Sequence, residues 1–154
     1  NVMRLLSGAN ISYTDLCYDP SITDGELVAA AVGSDPHETF KTLVTVSDRG
    51  KYFVFVIPVC KELDLKACAK VVGEKSIAML PQKNLLPLTG YVHGGCSPVG
   101  MKKALPVCFD SSCLQLKTMT LSAGKLGRQI KVNPIDLILQ KVEQTELVYH
   151  STYL

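Results

Sequence analysis

The feature that most constrains this chain is a glycine-rich segment at residues 89–100, Thr-Gly-Tyr-Val-His-Gly-Gly-Cys-Ser-Pro-Val-Gly. Four glycines and one proline among twelve residues argue against a continuous helix or strand, because glycine costs backbone entropy and proline lacks an N–H donor. The segment is therefore predicted to be a shaped loop. Glycine lets main chain approach a ligand closely, and successive N–H groups can converge on an anion or a polarised carbonyl. We expect this loop to form the floor of a binding site.

Chain length and net charge limit the classes of protein to which this sequence can belong. The chain has 154 residues, of which 47% are hydrophobic, enough for a single domain over 1–154. The net charge of +2 is too small to bind nucleic acid by overall charge, so such a partner would need a local basic patch. No apolar run reaches transmembrane length and no secretory signal is visible. We therefore expect a cytoplasmic protein.

The chain contains six cysteines, and none of them forms a Cys-x-x-Cys pair. The close pair Cys108 and Cys113 has no histidine nearby, so the spacing argues against structural zinc. Without an export signal, the thiols are expected to be free in a reducing compartment. Most of them should be small core residues.

Apolar periodicity and turn signals predict an α+β protein, because helices mix with mainly antiparallel strands and no βαβ rhythm appears. Helices are expected near 2–8, 24–33, 63–73, 82–86 and 134–142, the fourth of them stopping at Pro87. Strands are expected near 11–18, 40–46, 52–58, 77–80, 105–109, 116–121, 128–132 and 145–150. The turn Asp48-Arg49-Gly50 joins the second and third strands into an antiparallel hairpin. The third strand is apolar on both faces and should be central.

Four motifs follow one another along the chain: Phe-Lys-Thr-Leu at 40–43, Leu-Asp-Leu-Lys at 63–66, Thr-Gly-Tyr at 89–91, and Gly-Gly-Cys-Ser-Pro-Val-Gly at 94–100 with two lysines after it. In this order they resemble the YbaK family of aminoacyl-tRNA deacylases, which is related to the editing domain of bacterial prolyl-tRNA synthetases. The resemblance covers nearly the whole chain. It implies an α+β fold with a mixed, mainly antiparallel, barrel-like sheet of six to seven strands flanked by helices.

The resemblance also implies an activity, the removal in trans of cysteine mischarged onto tRNA(Pro), by an enzyme of the ester hydrolase or lyase class without cofactor or metal. The cysteine thiol would attack its own ester carbonyl, expelling the ribose hydroxyl as a thiolactone forms. Backbone N–H groups of residues 94–96 would stabilise the developing oxyanion. The implied partner is aminoacylated tRNA(Pro), with no membrane. Prolyl-tRNA synthetase as a second partner, an Ala-tRNA(Pro) hydrolase of the same fold, and a non-catalytic tRNA-binding or regulatory relative all stay open.

Carried over position by position, the resemblance implies the residues of a site. Catalytic roles fall on Lys41, Gly94 and Tyr18. The implied substrate-binding positions are Thr42, Gly95, Cys96, Ser97, Pro98, Gly100, Ser122 and Gln129. Contacts to tRNA fall on Lys102, Lys103 and Lys125, and such contacts weaken with salt.

Three positions raise separate questions of chemistry. Gln129 stands where the family places an aspartate, which argues against a carboxylate role there, although an amide can still accept or donate hydrogen bonds. His93 stands where an aliphatic residue is common, and the sequence names no acidic partner that would make it a general base. Cys96 leaves a covalent mechanism as an alternative, with no residue in the sequence identified as activating its thiol.

Overall fold

The structure, a computed structural model, describes residues 1–139 and 146–150. Within these residues five helices are formed: α1 (Val2–Gly8), α2 (Gly25–Ala31), α3 (Leu65–Val71), α4 (Leu85–Thr89) and α5 (Pro134–Leu139). The strands of the same residues are β1 (Tyr13–Cys17), β2 (Phe40–Ser47), β3 (Tyr52–Pro58), β4 (Ile77–Met79), β5 (Pro106–Asp110), β6 (Met119–Ser122), β7 (Arg128–Val132) and β8 (Glu146–His150). The predicted end of the last helix and the first residue of the last predicted strand lie outside the described residues.

The strands form two sheets, ordered β1-β7-β6 and β4-β2-β3-β5-β8. Neighbours are antiparallel except for β3 with β5 and β5 with β8, which are parallel. The α+β class with mainly antiparallel pairing is therefore confirmed. The sheet described here is not one barrel of six to seven strands, because β1, β7 and β6 form a sheet of their own. A parallel bridge between Thr39 and Thr120 joins the two sheets at one corner.

The predicted hairpin of β2 and β3 is present, with pairs running from Phe40↔Pro58 to Val46↔Tyr52. β3 lies between β2 and β5, as its apolar sequence predicts. Val54 and Val56 belong to the main core between the sheets and helices, whereas Phe55 faces a second cluster with residues of α3. The central position follows from burial on both faces, since each fully buried side chain of this size stabilises the fold by roughly 1.5–3 kcal/mol.

The predicted helix stop at Pro87 is wrong. Residues 82–84 form a short 3-10 turn, and α4 begins at Leu85 and continues through Pro87 to Thr89. Proline is tolerated there because it is the third helical residue, where the N–H has no intrahelical acceptor. The glycine-rich segment therefore begins at the last residue of α4, and this helix sets the direction in which the chain enters the loop.

None of the helices in the described residues combines the length and the apolar character that crossing a membrane requires.

Candidate active site

The candidate site lies where the two sheets meet, at the first residues of β2. Thr39 and Thr120 form the parallel bridge, and the N–H of Thr120 donates to the carbonyl of Glu38 at 2.9 Å. The hydroxyl of Thr39 donates to Ser34 Oγ at 2.9 Å, and that of Ser34 donates to Thr120 Oγ1 at 3.2 Å. Both threonines are 1% exposed. This hydroxyl chain, with both threonines buried and Ser34 half-buried, links the start of β2 to β6.

Strand register places three of the predicted site residues on one face beside this junction. Side chains alternate along a strand, so Lys41 shares the face of Thr39, and Ser122 shares the face of Thr120. The two threonines are paired in the bridge, and Gln129 pairs directly with Ser122 across β6 and β7. Paired residues point to the same side of a sheet. Lys41, Ser122 and Gln129 therefore project from a common face.

Tyr18 lies close to the same strands. Leu16 of β1 pairs with Gln129, and the N–H of Tyr18 continues this ladder by donating to the carbonyl of Gly127 at 2.9 Å. The side chain of Tyr18 is partly exposed. The residue thus stands at the end of β7 that carries Gln129.

Thr42 lies on the opposite face of β2 from Lys41. It pairs with Val56 and shares its face with Phe40 and Val44, which are buried in the main core. Its Oγ1 atom is buried and has no hydrogen-bond partner among the described residues. The structure therefore does not group Thr42 with Lys41, although both were predicted to face the substrate.

The edge of β2 is open next to Thr42. β4 pairs with β2 from Thr45 to Ser47, and the N–H of Leu80 donates to the carbonyl of Val44 at 3.0 Å. β6 reaches the other end of β2 at Thr39. Between these contacts, no strand of the described residues pairs with this edge. A gap of this kind exposes main-chain donors and acceptors that a ligand can use.

The glycine-rich loop is held by its own side chains. The hydroxyl of Tyr91 donates to the carbonyl of Val99, and Thr89 Oγ1 accepts from the N–H of Tyr91 at 3.0 Å. The N–H of Lys102 donates to the carbonyl of Thr89 at 2.8 Å and closes the loop. Ser97 is 0% exposed, and its Oγ accepts from the N–H of Val99 at 3.2 Å. Its hydroxyl therefore supports the loop from inside rather than lining an open surface.

Two more loop residues predicted to bind substrate are also packed inward. Pro98 is buried. Gly100 has a φ of +70°, and a Cβ there would stand 2.8 Å from Leu5 Cδ1 of α1. A side chain would strain the backbone and push the end of the Leu5 side chain aside. The exposed part of the loop is instead the stretch 92–94.

The exposed tip of the loop packs against the turn that precedes β7. A Cβ on Gly95 would lie 3.1 Å from Lys125 Cα and 3.2 Å from the nitrogen of Leu126, so the two backbones are in direct contact. Gly94 has a φ of +88°, a conformation that favours glycine. The two glycine-containing segments therefore form one surface, and the second segment leads directly to Gln129.

One of the three predicted oxyanion donors is already used within the loop. The N–H of Gly95 donates to the carbonyl of Val92 at 2.9 Å. The N–H groups of Gly94 and Cys96 have no hydrogen-bond partner among the described residues. The N–H of Gly95 is therefore engaged within the loop, whereas those of Gly94 and Cys96 are not engaged by any described residue.

The Cys96 thiol is poorly suited to nucleophilic attack. The residue is 8% exposed, and burial raises the pKa of its thiol to about 12, an effect that a hydrogen bond with Thr89 only partly opposes. Thiol chemistry requires the thiolate. At neutral pH Cys96 is therefore a buried apolar group, as is expected for most cysteines of the chain.

Exposed cations lie on both sides of the contact between loop and turn. Lys102 and Lys103 follow the loop, and Lys125 belongs to the turn. The Nζ of Lys103 lies 5.7 Å from the centre of the Tyr52 ring, a cation–π distance. His93 is exposed at the tip. Lys102, Lys103 and Lys125 are the residues predicted to contact tRNA, and all three are exposed.

Sequence reasoning missed the hydroxyl chain of Ser34, Thr39 and Thr120, which links the two sheets beside this face. Nothing in their local sequence distinguishes these residues from ordinary turn and strand positions. Only the pairing of β2 with β6, which are far apart in the chain, brings them together. Among the described residues, no group of three or more histidine, cysteine or acidic side chains is arranged to hold a metal ion.

Comparison with known proteins identifies the family. The family of the aminoacyl-tRNA editing domain matches residues 19–139 of the chain. A protein of Enterococcus faecalis (strain ATCC 700802 / V583) named EbsC, a proposed Cys-tRNA(Pro)/Cys-tRNA(Cys) deacylase, is 40% identical over 136 residues, covering 87% of this chain and 83% of the relative. The chain therefore belongs to the aminoacyl-tRNA editing domain family. It is by class an aminoacyl-tRNA deacylase, and the resemblance seen in its motifs is confirmed.

Solved structures share the fold. The crystal structure of a proposed trans-editing enzyme for prolyl tRNA synthetase matches with a TM-score of 0.81 and 22% identity, covering 99% of this chain and 97% of that one. A hypothetical protein of known crystal structure matches with a TM-score of 0.89 and 20% identity over 99% of both chains. At these identities the likeness concerns the fold alone.

Proposed function

We propose that the protein removes mischarged cysteine from Cys-tRNA(Pro) in trans. The observation that carries the proposal is the common face of Lys41, Ser122 and Gln129 beside a loop in which two N–H groups have no partner among the described residues. A cation and backbone donors in such an arrangement suit an ester whose carbonyl oxygen gains negative charge in the transition state. The name of the Enterococcus faecalis relative supports cysteine as the amino acid.

In the proposed reaction the substrate supplies its own nucleophile. The cysteine sulfur attacks the ester carbonyl carbon, the bond from that carbon to the ribose oxygen breaks, and the thiol proton passes to the ribose oxygen. The products are tRNA with a free hydroxyl and a cysteine thiolactone, which water opens to cysteine. Holding the thiol and the carbonyl in reacting geometry lowers the barrier, by about 7–11 kcal/mol in the most favourable intramolecular cases.

The protein residues then have separate roles in this proposal. Lys41 supplies the cation that holds the ester or the terminal phosphate, and the N–H groups of Gly94 and Cys96 stabilise the oxyanion. Tyr18, together with Lys41, forms the wall of the site opposite the glycine-rich loop. Because Cys96 is buried, it contributes its backbone donor and not its thiol.

The experiment that tests this function compares the release of cysteine and alanine from tRNA(Pro) by the purified protein over several turnovers. The proposal predicts release of cysteine with little release of alanine, since alanine has no thiol. Faster release of alanine would identify a hydrolase that uses water as its nucleophile. Release of neither amino acid would contradict the proposed function and indicate a non-catalytic relative.

A further inference from the structure

Gln129 presents a polar atom that none of the described residues satisfies. The residue is 6% exposed, and its Oε1 atom is buried without a hydrogen-bond partner among the described residues. Buried amide oxygens in folded proteins nearly always accept a hydrogen bond, because an unpaired one loses its interaction with water and gains nothing in return. Such an atom beside a candidate active site therefore points to a donor on a ligand.

The neighbours of Gln129 in the sheet do not supply a hydrogen bond to its Oε1 atom. It stands between Leu16 on β1 and Ser122 on β6. Leu16 has no polar side-chain atom, and Ser122 Oγ, which accepts from the N–H of Gly124 at 3.0 Å, makes no hydrogen bond with Oε1 of Gln129. The adjacent residue Ile130 points the other way, into the main core. The amide therefore lies on the face that carries Lys41, away from that core.

The chemistry of the substrate limits what this oxygen can bind. In an aminoacyl ester of cysteine, the carbonyl oxygen is only an acceptor and the thiol is a weak donor whose proton passes to the ribose oxygen in the proposed reaction, so the α-amino group is the strongest partner for Oε1. The α-amino group is a donor in both its protonated and its neutral form. A neutral amide oxygen accepts from either form, whereas a carboxylate at the same position would favour the charged one.

We infer that Gln129 is a specificity-determining residue that binds the α-amino group of the aminoacyl ester through Oε1. The inference rests on the proposed deacylase function and adds the requirement for a free amino group. It follows that esters lacking the amino group are poorer substrates even when they carry the same thiol. Gln129 distinguishes substrates by this hydrogen bond and takes no part in forming or breaking a covalent bond.

The test is a double-perturbation cycle, in which the Gln129 side chain is changed in the protein and the α-amino group is removed from the substrate. Single-turnover deacylation is measured on Cys-tRNA(Pro) and on 3-mercaptopropionyl-tRNA(Pro), which keeps the thiol and lacks the amino group. The wild-type protein, Gln129→Met and Gln129→Glu are compared. Methionine has a similar length without an acceptor, and glutamate restores one. Because both esters are assayed with the same preparation, the ratio of their rates does not depend on the fraction of folded enzyme.

We expect the wild-type protein to prefer the amino-containing ester by about tenfold or more, the effect of one hydrogen bond to a charged or strongly polar group. Gln129→Met should lose this preference, and Gln129→Glu should retain it. A wild-type preference that survives in Gln129→Met would overturn the inference and leave the proposed function intact. Failure of the wild-type protein to release either acyl group would overturn the proposed function and, with it, this inference.

Discussion

Gly95 lies so close to Lys125 that a Cβ placed on the glycine would stand 3.1 Å from the Cα of the lysine. The contact joins the glycine-rich loop to the turn before β7, two segments that carry predicted site residues. Neither backbone can move away freely, because Tyr91 holds the loop and the strand ladder holds the turn. This contact positions the loop donors relative to Gln129.

The first prediction concerns this contact. Gly95→Ala should destabilise the protein by about 1–3 kcal/mol, since a methyl group forced into a packed backbone contact displaces its neighbours. Deacylation should fall as well, because the loop donors shift. Gly8→Ala is the matched control: no atom lies within 4 Å of its added Cβ, and its free energy of unfolding should be unchanged or slightly raised. Urea denaturation of both variants measures the difference, and equal stabilities would contradict the contact.

The second prediction concerns Cys96. Since burial raises the pKa of its thiol to about 12, Cys96→Ser should keep its deacylation rate within about threefold, whereas loss of a covalent nucleophile costs several orders of magnitude. In the native protein a thiol reagent should label the exposed Cys17 well before Cys96. An inactive Cys96→Ser variant with an unchanged melting temperature would revive the covalent mechanism.

The third prediction concerns acid stability. The Glu74 side chain is 2% exposed and pairs with Arg49, with Nη2 2.5 Å from Oε2 and Nε 3.2 Å from Oε1. Its hydrogen bonds with Arg49 chiefly lower the pKa of Glu74 to about 2 from a usual value of 4.5. A carboxyl with a lowered pKa stabilises the fold above its unfolded-state pKa, and this contribution is lost as the pH falls toward the folded-state value.

In Arg49→Met the melting temperature should therefore fall at pH 7, where Glu74 is charged and has lost its partner. Its dependence on pH between about 4.5 and 2 should become flatter than in the wild-type protein. Arg4→Met removes an exposed arginine that bonds to Asn1 and serves as the control. Parallel pH curves for Arg49→Met and the wild-type protein would exclude a stabilising ion pair.

The fourth prediction concerns the exposed lysines predicted to contact tRNA. Replacing Lys102 and Lys103 with glutamine should raise the KM for aminoacylated tRNA with little change in kcat. It should also make the slope of log affinity against log salt less steep by about 0.7–0.9 for each phosphate that the protein no longer neutralises. The exposed lysines Lys66 and Lys70 of α3 provide a double-variant control of equal charge. If both double variants behave alike, tRNA does not dock beside the loop.

Local sequence features, such as β-branched runs, turn residues and helix N-caps, predict a large part of this fold. The hairpin of β2 and β3 follows from two β-branched runs around Asp48-Arg49-Gly50. The start of α3 follows from Asp64, whose Oδ1 accepts from the N–H of Ala67 at 3.0 Å. Pro87 was misinterpreted because the same residue that ends a helix is tolerated in a first turn, and only the position of the helix start distinguishes the two cases.

The site was harder to predict than the elements. Motif resemblance named Lys41, Ser122 and Gln129, and strand register shows that they share a face. Thr42 follows Lys41 directly and so falls on the other face, as alternation along a strand requires. The junction of Thr39 with Thr120 pairs distant strands, and such pairing depends on the whole packing arrangement rather than on local periodicity. The single domain over 1–154 and the catalytic roles remain predictions.

The most direct test of the proposed active site is the multiple-turnover release of cysteine from Cys-tRNA(Pro) by the wild-type protein, Lys41→Ala and Lys61→Ala. Lys61 is an exposed lysine that is not among the predicted site residues. We predict that Lys41→Ala reduces the rate by about a hundredfold or more, as the removal of an electrostatic interaction in the transition state does. Its melting temperature and the activity of Lys61→Ala should stay close to wild type. A fully active Lys41→Ala would contradict the assignment of this face as the active site.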